Sequence, residues 1–241
     1  MRAPNVSADA EKFLQFMLRE PYQLALTSEE MERVRALPII ERFYEPRTLV
    51  MEEERSRPAD IFIGSGWALC DKSMANGQRV VTDFLLRGDL VNGNMAAGKV
   101  YRSLETATVV QTFELQRPRL ASQPRPVADI ILRLMARNFD IAAEHFANAS
   151  RRAPLERLAF LFLEMAYRHE QSGLGAGDNF EFPFTQRDLA DALGLTAIHI
   201  NRLLRLLRER HLLSFRHSTV ELTDRRNLAQ ISHFDPQYLV L

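Results

Sequence analysis

Cysteine is almost missing from this 241-residue chain: Cys70 stands alone. One thiol excludes an internal disulfide framework and cannot assemble a cysteine-ligated zinc site or an iron–sulfur cluster within the chain. Set on an apolar, strand-like run, Cys70 reads as a small buried hydrophobe in a reducing compartment. Long apolar runs are missing too. No stretch approaches the roughly 20 residues that span a bilayer, and the opening MRAPNVSADAEKFLQFMLRE holds no signal-type apolar segment. Net charge is zero, because 31 basic side chains balance 31 acidic ones, so any affinity for nucleic acid has to come from a local patch. There is no histidine pair at metal spacing, no Ser-His-Asp elbow and no Walker loop. The GLGAG of residues 173–177 follows a helical pattern and lacks the Lys-Ser/Thr of a phosphate cradle, so it reads as a connector. These absences predict a cytoplasmic protein with no membrane, no metal, no resident cofactor and no catalytic role.

What is present is 46% hydrophobic content, enough to build one large domain or two smaller ones. TSEEMERVRAL, residues 27–37, opens with a capping box of Thr27 and Glu30 and closes at Pro38, a short helix. From about Phe43 to Leu115 the texture becomes short runs (TLVM, DIFIG, WALC, RVVTDFLL, DLV) separated by turn residues, as in a β-sandwich or β-roll. After Pro124 and Pro126 the period changes to helical. Val127, Ile131, Leu134, Asn138, Ile141 and His145 alternate spacings of four and three, the pattern of a two-helix seam. The stripe either pairs with a second copy or packs on the β-domain. The lone Asn138 favours the homodimer, where a polar seam residue fixes register. The other face, with Ile130, Met135, Phe139, Ala142 and Phe146, would then cover the β-domain. ASRRAP, residues 149–154, reads as a hinge. The expected fold class is α+β: a β-roll over 1–121, a dimerisation helix and hinge over 122–150, and a helical C-terminal domain over 151–241.

That last domain holds the chemistry. Thr185 and Asp188 form a capping box opening TQRDLADALGL, Gly194 supplies a turn, and Thr196 caps a second helix that runs to about Arg210. Two helices joined by a tight glycine turn make a helix-turn-helix. Ile200, Leu203, Leu204 and Leu207 face inward, leaving Ala197, Ile198, Asn201, Arg202, Arg205 and Arg208 outward. Between Leu195 and His217 five arginines face one acid, Glu209, a basic patch in a neutral chain. Ala197 permits close approach to a groove, Asn201 and Arg202 carry donors for base edges, and Arg205, Arg208, Arg210 and Arg216 suit phosphates. LLSFRHSTVELTD reads as a β-hairpin wing. A protein-interaction module that uses the winged helix as a docking surface is the other reading of these residues.

FTQRDLADALGLTAIHINRLLRLLRERHLL and IFIGSGWALCDKSMANGQRVVTDFLLRGDLV together resemble the Crp/Fnr family of bacterial transcription regulators, and ISHFDPQYLVL is similar to a C-terminal extension of one subset. The resemblance implies a cyclic-nucleotide-binding-like sensor β-roll, a dimer helix and a winged helix that binds two-fold symmetric double-stranded DNA, with RNA polymerase as a partner. Thr185, Gln186, Arg187, Thr196, Ala197, Ile198, Asn201, Arg202 and Arg205 are the DNA-binding residues it implies. The family's base-reading helix commonly carries Glu and, four residues on, Arg. Arg202 matches, whereas Ile198 replaces the Glu and could only touch a thymine methyl. Val91, Gly93, Arg102, Ser103 and Ala142 mark the corresponding effector pocket. Gly93 stands where the ribose-binding Glu would be, Arg102-Ser103 is displaced from the phosphate pair, and Ala142 and Ala143 replace the adenine-reading pair. Cyclic AMP is therefore not the expected effector, although an atypical cyclic-nucleotide pocket remains the alternative and an unknown small-molecule effector is allowed. All six histidines lie at or beyond His145, which disfavours haem in the sensor.

Overall fold

An amphipathic stretch comes first among the described residues. Ala8–Leu18 forms helix α1, whose Ala10, Phe13, Leu14 and Met17 are wholly buried. Their burial stabilises the first body by about 1.5–3 kcal/mol for each large side chain. The computed structural model describes residues 8–19, 21–55, 59–92, 100–116 and 123–240. In chain order α2 follows over Ser28–Arg35, then strands β1 (Ile39–Tyr44), β2 (Leu49–Met51), β3 (Ala59–Ser65), β4 (Ala68–Ser73), β5 (Arg79–Leu85), β6 (Leu90–Asn92), β7 (Ser103–Thr106) and β8 (Val110–Gln116). Helices α3 (Arg125–Arg151) and α4 (Pro154–Gln171) come next, then β9 (Asn179–Glu181), α5 (Gln186–Leu193), α6 (Ala197–Glu209), β10 (Leu213–Arg216), β11 (Thr219–Leu222) and α7 (Arg225–Ser232). The architecture is α+β.

The chain divides into two compact bodies. The first holds the residues up to Ala68 together with Leu85–Ala136, and the second holds Leu69–Phe84 with the residues from Arg137 onward. The division differs from the expected 1–121, 122–150 and 151–241: the β4–β5 hairpin packs with the C-terminal elements, and α3 begins in one body and ends in the other.

In the first body β1, β8, β3 and β6 form an antiparallel sheet in that order, with registers such as Ile39↔Leu115 and Phe62↔Phe113. Phe13 of α1 meets Phe62 at 5.3 Å and Phe113 at 5.7 Å between ring centroids, so this helix seals one face of the sheet. Gly66 opens the Gly-Trp corner with φ +82°, and a Cβ there would stand 2.2 Å from the Val109 carbonyl oxygen. Cys70 in the second body is a buried thiol.

In the second body Phe84, Phe162, Phe182, Phe184 and Phe215 form one aromatic core, with Phe84 at 4.5 Å from Phe184 and Phe162 at 5.7 Å from Phe182. FEFPF, at the end of the glycine-rich connector, supplies Phe180 and Glu181 of β9 and two of these rings, Phe182 and Phe184. Beyond α7, Phe234 and Tyr238 pack on Phe160 at 5.2 and 6.1 Å, which docks the C-terminal extension on α4.

Helix α3 uses its faces differently from the expected assignment, although Ile130 is buried as expected and Asn138 and His145 are half-buried. Val127, Ile131, Leu134 and Ile141 are at most 2% exposed within the single chain, while Phe139 and Phe146 are 75% and 76% exposed. The four-three stripe is thus consumed by intrachain packing and is not available as a dimer seam. Leu132, Phe139 and Phe146, spaced by seven, form the apolar row that remains in solvent.

Candidate nucleic-acid interface

Two capped helices and a left-handed glycine build the site. Thr185 Oγ1 accepts from the Asp188 amide at 3.2 Å while Asp188 Oδ2 accepts from the Thr185 amide at 2.8 Å, closing the box that starts α5. Gly194 ends α5 at φ +64°, a conformation that costs other residues strain. Thr196 Oγ1 accepts from the His199 amide at 3.2 Å and starts α6 two residues later. Leu189, Ala190 and Leu193 of α5 and Ile200, Leu203, Leu204 and Leu207 of α6 are buried and fix the two helices together.

The opposite face of α6 is open. Ala197, Ile198, Asn201, Arg202, Arg205 and Arg208 are all exposed, with Ile198 at 85%. Arg202 makes no hydrogen bond or ion pair among the described residues, so its guanidinium is available for a bidentate acceptor. Arg205 Nε lies 2.7 Å from Glu209 Oε1, a contact that a phosphate would have to share or displace. Asn201 Nδ2 donates to Gln186 Oε1 at 3.2 Å, linking the two helices on their outer surface. Thr185 and Arg187 are exposed and Gln186 half-buried at the start of α5.

Beside α6, β10 and β11 pair in the register Arg216↔Thr219 around His217 and Ser218, whose φ values of 50° and 58° are those of a tight two-residue hairpin. β9 joins the outer edge of β11 through Val220↔Phe180, making the wing a three-stranded sheet.

A second constellation in this body lies outside the helix-turn-helix pattern. Glu164 on α4 is wholly buried and accepts from His145 Nε2 at 3.0 Å and Tyr238 OH at 2.8 Å, and Arg168 Nη1 bridges Glu164 Oε1 at 3.2 Å and Asp83 Oδ1 at 2.8 Å. His145 is therefore an ion-pair partner and not a seam residue, with Nδ1 facing the Thr82 carbonyl at 3.4 Å. Burial alone would lower the His145 pKa, but the Glu164 carboxylate outweighs it and pushes it up to about 9. Burial likewise opposes the Glu164 charge, yet His145 and Arg168 hold its pKa down at about 2. Burial pushes the Tyr238 phenol up, and the charge of Glu164 adds to the effect. One signal was legible: within the apolar LAFLFLEMAYR, Glu164 and Arg168 stand four apart on one helix face. On the hairpin side, Arg79 Nη2 reaches Asp188 Oδ1 at 2.6 Å.

The residues expected to mark an effector pocket are dispersed in kind. Val91 is buried, Ser103 Oγ already accepts from the Glu53 amide at 3.2 Å, Arg102 is half-buried and Ala142 is exposed. Gly93 lies outside the described residues. Among the described residues no cluster of three His, Cys, Asp or Glu side chains is placed to hold a metal ion, and no helix is long and apolar enough to cross a membrane.

Residues 156–231, which contain the whole site, match the model of the Crp-like helix-turn-helix domain. The nitrogen fixation regulation protein FixK of Rhizobium meliloti is 26% identical over 155 residues, covering 64% of this chain and 68% of that one. An anaerobic regulatory protein of Pasteurella multocida is 29% identical and covers 65% of this chain and 58% of its own length. The C-terminal part of the chain is thus a Crp-like helix-turn-helix domain. The structure of FixK2 from Bradyrhizobium japonicum has the same fold, with a TM-score of 0.72 at 22% identity over 83% of this chain and all of that one. Members of the Crp/Fnr family are transcription regulators and not enzymes, and their helix-turn-helix binds DNA. The curated relatives extend beyond what is matched, since the aligned part spans 58–68% of the length of these two.

Proposed function

We propose that this protein is a cytoplasmic homodimer of the Crp/Fnr family that regulates transcription by binding two-fold symmetric double-stranded DNA, with α6 in the major groove. The observation that carries the reading is the unfastened, exposed Arg202 on the outer face of a capped recognition helix. Arg202 takes a guanine, Asn201 an adenine, and Ile198 a thymine methyl, with Ala197 allowing close approach. Thr185, Gln186, Arg187, Thr196 and Arg205 contact phosphates and set the register. The partner helix packs on the exposed row of Leu132, Phe139 and Phe146, because the Val127 to Ile141 stripe is buried within the chain. Residues 1–121 serve as the sensor, 122–150 as dimer helix and hinge, and 151–241 as the DNA-binding domain.

Control is not by cyclic AMP, since the acceptors and donors that would read it are replaced, and any effector is a different small molecule. RNA polymerase is the partner at the promoter. One experiment tests the whole reading: a random-duplex selection followed by binding titrations at several salt concentrations. The expected result is a palindromic site bound by two chains per duplex, with affinity that falls steeply with salt. Arg202→Ala should cost about 1–3 kcal/mol and relax the guanine position. Binding that is insensitive to salt would favour the protein-docking role instead.

A further inference from the structure

Building on the proposed DNA reading, we infer that Gln186 is a specificity-positioning residue that orients the amide of Asn201 and so sets which base Asn201 selects. An exposed asparagine can turn its amide by half a revolution at little cost, exchanging donor and acceptor. Base readout depends on that choice, because adenine presents an N7 acceptor beside an N6 donor in the major groove. Gln186 Oε1 accepts from Asn201 Nδ2 at 3.2 Å, which turns Nδ2 toward α5 and leaves Oδ1 with the second N–H for the groove. Among the described residues Gln186 is the side-chain partner of Asn201, and nothing else fixes this amide.

The pairing also spans two functions. Gln186 is the first residue of α5, the helix that crosses the DNA backbone in this docking mode, and Asn201 lies on the base-reading face of α6. A phosphate-clamped α5 therefore holds the Asn201 amide in its reading orientation. Glu at 186 would keep the acceptor for Nδ2 while placing a negative charge near phosphate, so it separates orientation from backbone affinity.

The test measures affinities of the full chain for duplexes carrying each base pair at the position whose preference Asn201→Ala erases. The wild-type protein should favour adenine there by about tenfold. Gln186→Ala should reduce that ratio to about threefold or less and leave the guanine preference of Arg202 intact. Gln186→Glu should keep the adenine preference while weakening all four duplexes alike, and the double variant Gln186→Ala, Asn201→Ala should discriminate no worse than Asn201→Ala alone. The inference is overturned if Gln186→Ala lowers all four affinities by one factor, which would make Gln186 a phosphate contact only. It is also overturned if Asn201→Ala erases no preference. A wild-type protein without base preference anywhere would overturn the DNA reading itself, and the inference with it.

Discussion

The second body contains two sets of arginines that are opposites in circumstance. Arg168 is 3% exposed and spends its guanidinium on Asp83 and Glu164. Arg202, on a helix of the same body, is exposed and unfastened. The residue type is the same, so its chemistry does not separate structure from function. What separates them is whether the acceptor is already supplied. A buried guanidinium demands carboxylates from its own chain, because unpaired charge in the interior costs several kcal/mol. An exposed one that is left without a partner keeps its five donors for something outside.

The widest separation comes from truncating each arginine. Arg168→Ala leaves Asp83 and the wholly buried Glu164 without their shared cation and should destabilise the fold by about 3–5 kcal/mol in urea unfolding. Arg202→Ala should stay within about 0.5 kcal/mol of the wild type in the same measurement, since it breaks nothing inside the chain. A stability loss of similar size in both variants would dissolve the distinction.

The buried set should also leave a mark on the pH dependence of stability. His145 is raised from an ordinary 6.5 to about 9, because Glu164 overcomes its burial, so the folded form holds its proton where the unfolded chain has released it. Its contribution is full below 6.5 and is lost as pH rises through about 9. Glu164, lowered from 4.5 to about 2, contributes fully above 4.5 and is lost as pH falls through about 2. Thermal unfolding should therefore be most favourable to the fold, as far as this pair is concerned, between those limits, with an alkaline decline that His145→Gln flattens. An unchanged alkaline limb in His145→Gln would remove His145 from the account.

Sequence periodicity carried the second body much further than it carried α3. The capping residues Thr185, Asp188 and Thr196, the left-handed Gly194 and the inward leucines are local features, each fixed by neighbours within four residues, and each was legible. The stripe from Val127 to Ile141 was legible as buried, but a four-three spacing does not say whether a second copy or the same chain covers it. His145 was assigned to that stripe by position alone. Its real partners, Glu164 and the Thr82 carbonyl, with Asp83 acting on its charge, come from other elements, and only a three-dimensional structure brings them together. Likewise the aromatic weight of FEFPF becomes meaningful only beside Phe84 and Phe162.

The smallest effect should come from Ile198, and it tests the exposed side of the comparison most finely. At 85% exposure its side chain has no packing role, and solvating a large apolar group on the reading face brings the fold no advantage. The position is therefore free to be chosen by the groove. Ile198→Glu supplies an acceptor for the cytosine amino group and removes the contact with a thymine methyl. In titrations against paired duplexes the variant should gain preference for C over T at that step by about 1–2 kcal/mol, with folding stability unchanged and the guanine under Arg202 retained. A uniform loss on both duplexes, with no change of preference, would mean that Ile198 borders the groove without reading it, because a new charge near phosphate would then act only through repulsion.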